Sequence, residues 1–184
     1  IWVGEAGNGS LNVSGGSLGV GVSVSVGYLA AGVGSMSISG GDVNVAGGLM
    51  VWNGAGTITV SDGTVNANWI TLGQTTGVGA MTQSGGTVTA GTLYPGYSST
   101  AQGTYNLNGG TLVITNVYAT GTGPVRVFNF NGGTLRARTS TGAFIAAGAL
   151  TAANILGGGA NIDDNGYSIG IGQPLTGVGG LTKT

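Results

Sequence analysis

The sequence predicts an all-β chain, a right-handed parallel β-helix (β-solenoid) of about seven coils of 22–25 residues, with three short strands per coil. Three observations predict it. A doublet of small residues recurs at a nearly fixed interval through the 184 residues. Apolar and polar residues alternate at constant offsets around every doublet. No stretch carries the 3.6-residue periodicity of a helix buried on one side.

The doublets are Gly15-Gly16, Gly40-Gly41, Asp62-Gly63, Gly85-Gly86, Gly109-Gly110, Gly132-Gly133 and Gly157-Gly158, spaced 22 to 25 residues apart. A repeat of that length reads as one supersecondary unit that stacks on its neighbours. The doublet itself reads as a corner, where glycine takes φ > 0 and turns the chain sharply.

One strand precedes the corner, with apolar residues four and two positions upstream: Leu11/Val13, Met36/Ile38, Ile58/Val60, Met81/Gln83, Tyr105/Leu107, Phe128/Phe130 and Ala153/Ile155. Gln83 is the one polar intruder and needs a partner. Another strand follows the corner, with Leu18/Val20, Val43/Val45, Val65/Ala67, Val88/Ala90, Leu112/Ile114, Leu135/Ala137 and Ala160/Ile162. The remaining strand opens each unit and is separated from the doublet by a loop of variable length: Ile1/Val3, Val24/Val26, Met50/Trp52, Ile70/Leu72, Leu93/Pro95, Val117/Ala119 and Ile145/Ala147. Alternation of this kind marks strands buried on one face. A single coil leaves its backbone groups unpaired, so the coils stack as parallel ladders about 4.8 Å apart. Crossover chirality favours the right hand. The residues before the corners (Ser14, Ser39, Ser61, Ser84, Asn108, Asn131) then form a column able to hydrogen-bond along the stack. An antiparallel sandwich also has short alternating strands, but it does not explain offsets held across seven copies.

Composition narrows function. There are 42 Gly, no Cys and no His, which removes the common zinc sites, the Cys nucleophile and the Ser-His-Asp triad. Four Lys and Arg against five Asp and Glu cannot neutralise a phosphate backbone, so no nucleic-acid partner is expected. No run approaches the roughly 18 apolar residues of a membrane-spanning helix. Ile1 to Glu5 lack the features of a signal peptide, so the chain reads as a mature or internal segment. Few charges with abundant Gly, Thr, Ser and Asn suit an exported bacterial protein, extracellular or at the cell surface.

Phrases such as Gly85-Gly86-Thr87-Val88 and Asn108-Gly109-Gly110-Thr111-Leu112, and the stretch from Pro174 to Thr184, resemble the autotransporter-associated β-strand repeat proteins. Ala160 to Tyr167 resembles the segment that precedes that family's repeat. The resemblance implies a bacterial surface or secreted protein with right-handed parallel β-helical segments. It implies export and a scaffold or stalk role, and it brings no catalytic residues.

Site candidates are few. Asp42 and Asp62 flank corresponding corners, where a carboxylate pair would suit a glycoside hydrolase, but polar corner residues are the simpler reading. Asp163-Asp164-Asn165-Gly166 lacks the alternating donors of a calcium loop and reads as an Asx turn. Arg126, Arg136 and Arg138 crowd one coil and could hold an acidic sugar, although a solvated face explains them as well. Thr64, Thr87, Thr111 and Thr134 form an outward column, short of the paired columns that ice binding wants. Tyr94 and Tyr118 share an outward position in adjacent coils beside Tyr97, a possible contact surface for sugar or protein. That column continues through Val51, Thr71 and Ala146.

The sequence therefore reads as one β-solenoid domain, residues 1–184, and as a segment of a longer protein. Its expected function is structural, a rod, stalk or fibre, with no enzyme activity, catalytic residue, metal or cofactor. A carbohydrate-binding or carbohydrate-cleaving β-helix is the alternative, with polysaccharide as partner. Otherwise its partner is itself or flanking repeats: Ile1 and Val3 at one end, Ile169 and Ile171 at the other, read as surfaces for head-to-tail stacking.

Overall fold

A computed structural model describes residues 1–184. The chain is all-β, and every strand pairing is parallel. The first coils contain β1 (Trp2–Val3), β2 (Asn8–Val20), β3 (Val24–Val26), β4 (Val33–Val51) and β5 (Ala55–Leu72). The middle coils contain β6 (Val78–Gln83), β7 (Thr87–Thr89), β8 (Thr92–Tyr94), β9 (Gln102–Leu107), β10 (Thr111–Ile114), β11 (Asn116–Val117), β12 (Val125–Phe130) and β13 (Thr134–Ala137). The last contain β14 (Thr141–Ile145), β15 (Ala152–Ile155), β16 (Ala160–Asp163), β17 (Ile169–Ile171), β18 (Thr176–Gly177) and β19 (Leu181–Lys183).

These strands stack into a parallel β-helix with three faces and about eight turns, one more than the doublets alone suggested. The additional coil is β17, β18 and β19, which pair with β14, β15 and β16. Strands are not uniformly short either. β2 runs through one corner, and β4 and β5 run through all three faces of their coils, each with irregular register at the corners.

The second face, before the doublet, keeps the expected register: Met36 lies over Ile58, then Met81, Tyr105 and Phe128, and Ile38 over Val60, Gln83, Leu107 and Phe130. The third face, after the doublet, stacks Val43, Val65, Val88, Leu112 and Leu135. Of the inward positions assigned to these two faces, all but the half-buried Leu11 and Leu18 are buried. The doublet corner works as expected at Gly86, where φ is +63° and a Cβ would stand 2.5 Å from the Gly63 carbonyl oxygen below. At the seventh corner the positive φ falls on Gly159 instead of Gly158, and Leu135 pairs with Ile162 instead of Ala160. The shift is two residues, so parity survives and Ala160 and Ile162 both stay inside.

The first face departs most. Leu49 and Val51 fill the core in the third coil, where Met50 and Trp52 were expected. Met50 lies on the outer side, paired with Ser25 and Thr71, and takes the place given to Val51 beside Thr71. A one-residue slip exchanges the two faces of a strand. Ala147 is exposed and Phe144 is fully buried beside Ile145, because β14 bulges between Thr141 and Ile145. Ile1, expected inside, is 49% exposed, whereas Val3 is buried.

Core filling changes along the axis. Coils two to four carry no ring on the second face, and the next two bring in Tyr105, Phe128 and Phe130. Tyr105 and Phe128 stack at 5.2 Å with nearly parallel rings, and Phe128 meets Phe130 at 4.5 Å. The Tyr105 hydroxyl donates to Gln83 Oε1 at 2.7 Å, and Gln83 Nε2 donates to the carbonyls of Gly86 and Thr111. The polar intruder is thereby satisfied. Burial pushes the Tyr105 hydroxyl well above its ordinary range, so it stays a neutral donor.

Candidate functional site

The surface outside the first face is where chemistry concentrates. All three tryptophans and four of the six tyrosines lie on it or in the loops that border it: Trp2, Tyr28, Trp52, Trp69, Tyr94, Tyr97 and Tyr118. Trp2 stacks on Tyr28 at 4.7 Å, and Tyr28 meets Trp52 at 6.0 Å. The three tyrosines singled out in the sequence lie together. Tyr94 meets Tyr97 edge-on at 5.3 Å and Tyr118 at 6.5 Å, and the Tyr118 amide donates to the Leu93 carbonyl. Tyr97 and Tyr118 are exposed, and Tyr94 is half-buried between them.

Between these groups runs a groove of about 500 Å³. Its floor is the outward column of the first face, Met50, Thr71 and Tyr94 in register. Residues at the entry to the first face, Ser23, Asn68, Trp69 and Thr92, line one side, and residues beyond its exit, Trp52, Gln74 and Tyr97, line the other. No lining residue is charged. Trp69 has a built seat: it pairs with Gly48, and a Cβ at Gly48 would stand 2.2 Å from Trp69 Nε1. Only a residue without a side chain leaves room for the indole there. The sequence reading missed Trp52 and Trp69, the first by the register slip. The available signal was the spacing of Trp2, Tyr28 and Trp52, each about one coil from the next.

The charged candidates do not converge. Asp42 pairs in register with Thr64 and accepts its hydroxyl proton, whereas Asp62 faces Ser39 and accepts from the Gly63 amide at 2.8 Å. Arg136 binds Asp163 at 2.7 Å on the third face. Arg126 donates from Nη1 to the Gly121 carbonyl at 2.7 Å, and Arg138 lines a separate polar groove with Asn44, Asn66 and Asn68. Asp163 and Asp164 form the expected Asx turn, accepting from the amides of Asn165 and Gly166 at 2.7 and 2.9 Å. The Asn165 amide and Arg136 hold the Asp163 carboxyl below its usual range. Lys183, then the Gly166 amide, do the same for Asp164.

Polar ladders run along the stack, though not where expected. In the column before the corners only Asn131 and Asn108 bond side chain to side chain, at 3.2 Å. The longer run is on the same face, two residues upstream: Asn154 donates to Asn129, Asn129 to Asn106 and Asn106 to Thr82, at 2.7–3.2 Å. The threonine column, Thr64 to Thr134, is continuous and half-buried.

At the final coil, Ile162, Ile169, Ile171, Leu181 and Lys183 line an apolar hollow of about 240 Å³. Ile169 is half-buried and Ile171 is 39% exposed. No helix is long and apolar enough to cross a membrane. No family model, curated protein or solved structure matches the chain.

Proposed function

We propose that the chain is a structural β-solenoid segment of an extracellular or cell-surface bacterial protein, a rod or stalk that extends by head-to-tail stacking of coils. One observation carries the reading. Three parallel ladders run the length of the stack, and the core continues into the hollow at the last coil. An uncovered strand edge over an apolar cross-section is a template for another coil. Whether that coil belongs to the same polypeptide or another, the contact is heterologous and extends along one axis. About eight turns at the strand spacing give a rod on the order of 35 Å long. The resemblance to autotransporter-associated repeats and the scarcity of charge beside abundant Gly, Thr, Ser and Asn support an exported location. Tyr94, Tyr97 and Tyr118 serve as a lateral contact surface on such a rod.

Electron microscopy and light scattering of the native material test this. Unbranched rods of constant width are expected, and Leu181→Glu, at the rim of the hollow, should shorten them without changing the circular dichroism. Compact particles one chain long at every concentration would overturn the proposal.

A further inference from the structure

The structure assigns the groove beside Trp69 as a binding site for a neutral oligosaccharide chain. Four features carry this beyond the structural role. The first is chemistry: indole and phenol rings offer flat apolar faces with polar edges, which match the C–H faces and hydroxyl rims of pyranose rings. The second is charge: a lining without Asp, Glu, Lys or Arg gives a sugar acid or an amino sugar cation no counter-ion, so the class is neutral. The third is preorganisation: Trp69 is seated on Gly48, and Tyr97 is braced edge-on by Tyr94, so the two exposed rings cost little ordering on binding.

The fourth is an orphaned group. Thr71 is 1% exposed, sits on the groove floor between Met50 and Tyr94, and its Oγ1 has no hydrogen-bond partner. Buried hydroxyls are normally paired, and a sugar hydroxyl resting on the floor supplies what Thr71 lacks. The Gln74 side chain, half-exposed on the wall, adds donor and acceptor capacity. The groove draws on four successive coils, from Ser23 to Tyr97, so it runs along the axis for roughly 14 Å at the strand spacing. That length and the volume of about 500 Å³ suit a short run of linked rings and fall in the range of small-molecule sites. A second copy of the chain docking on these rings is the competing occupant. It would leave Thr71 unsatisfied unless a polar group happened to project there.

The test is titration of the folded protein with soluble neutral oligosaccharides (β-glucan, xylan, mannan and chitin fragments), read by tryptophan fluorescence and calorimetry. Polygalacturonate fragments are the charged control. At least one neutral fragment should bind with little dependence on salt. Trp69→Ala and Tyr97→Ala should each weaken binding about tenfold or more, Thr71→Val by a smaller factor, and Tyr167→Ala, away from the groove, should not change it. Melting by circular dichroism separates lost binding from lost fold, and Trp69→Phe, which keeps a ring, should recover part of the affinity. The proposal is overturned if no neutral fragment binds, if the charged fragments bind better, or if Trp69→Ala binds as the parent does. It is also overturned if these substitutions abolish only self-association.

Discussion

Between the second and third faces the chain turns a corner of nearly constant length, whereas the first face is entered and left through loops that differ from coil to coil. The consequences are visible in the strands. On the second face Gln102–Leu107 and Val125–Phe130 are both six residues long and pair without interruption. On the first face, strands range from two residues (Asn116–Val117) to five (Thr141–Ile145), and the longer one bulges. The tight faces are held by columns of identical environment, so each residue answers to the coils above and below. The loose face tolerates insertions, as loops do. It is also the face with the aromatic groove. Variation that would break a ladder elsewhere there only changes what the surface presents.

The sharpest test of this contrast is to open the tight side of the core. Phe130 is fully buried against Phe128 and between Leu107 and Ile155. Phe130→Ala should cost about 3–5 kcal/mol, the usual toll for deleting a core aromatic. A melting curve close to the parent's would mean that the stack relaxes into the cavity and is not the rigid half of the molecule.

Backbone proximity gives the next largest effect. A Cβ at Gly103, on the second face, would stand 2.2 Å from the Leu72 carbonyl oxygen and 2.9 Å from the Gly96 nitrogen. Neither is a flexible side-chain end. Gly103→Val should therefore destabilise by about 3 kcal/mol. Gly142, within first-face strand β14, has nothing within 4 Å, and Gly142→Ala should stay within about 0.5 kcal/mol of the parent. Equal melting temperatures for the two variants would mean that the close approach at Gly103 does not constrain the second face.

Tyr105→Phe probes the one polar link inside the tight core. It removes the donor to Gln83 Oε1 while keeping the ring on Phe128. The buried amide oxygen is left unpaired, at a cost of about 1–3 kcal/mol. In Tyr105→Phe/Gln83→Met the loss should shrink, because the orphaned oxygen is gone. A double variant that loses as much as the sum of the single losses would show that the link does not couple the two coils.

The same contrast explains what could be read from the sequence. Where corner length is fixed, the offsets from each doublet locate the core, and Met36, Ile58, Val88 and Leu112 are where the offsets put them. Gln83 was visible as an intruder, although its partner in the next coil was not, because Tyr105 occupies an apolar slot and its hydroxyl leaves no periodic trace. On the first face an offset measured across a variable loop carries an error of a residue, and one residue is enough to exchange Leu49 for Met50 and to send Trp52 outward. Tyr94, Tyr97 and Tyr118 were found because their alternation with Leu93, Pro95 and Val117 is local. Trp69 needs Gly48, one coil away, to be recognised as seated, and that relation exists only after stacking. The eighth coil was overlooked as a full turn because its second-face strand is just Thr176–Gly177, too short to alternate.

The smallest effect concerns acid, and it belongs to one end of the rod. The carboxyls of Asp163 and Asp164 lie below their ordinary range in the folded chain, Asp163 through the Asn165 amide and Arg136, Asp164 through Lys183 and the Gly166 amide. A carboxyl depressed on folding stabilises above its unfolded value of about 3.9 and loses that contribution as pH falls through the folded one. Stability should therefore be flat near neutrality and decline below about pH 4. The decline should be slight, since the Arg136–Asp163 pair is on the surface and such pairs contribute less than about 1 kcal/mol, weaker again in salt. Asp164 acts with the same sign. Hydrogen exchange between pH 5 and pH 3, corrected for intrinsic rates, should show protection falling around β13, β16 and β19, which these pairs join, and not at β9 or β12. Asp163→Asn should flatten the response at β16. Uniform loss along the rod would instead mean that acid acts through the ladders themselves. The chain has only five acidic residues, and none of them is in the buried core of the second face, so the ladders give protons nothing to bind.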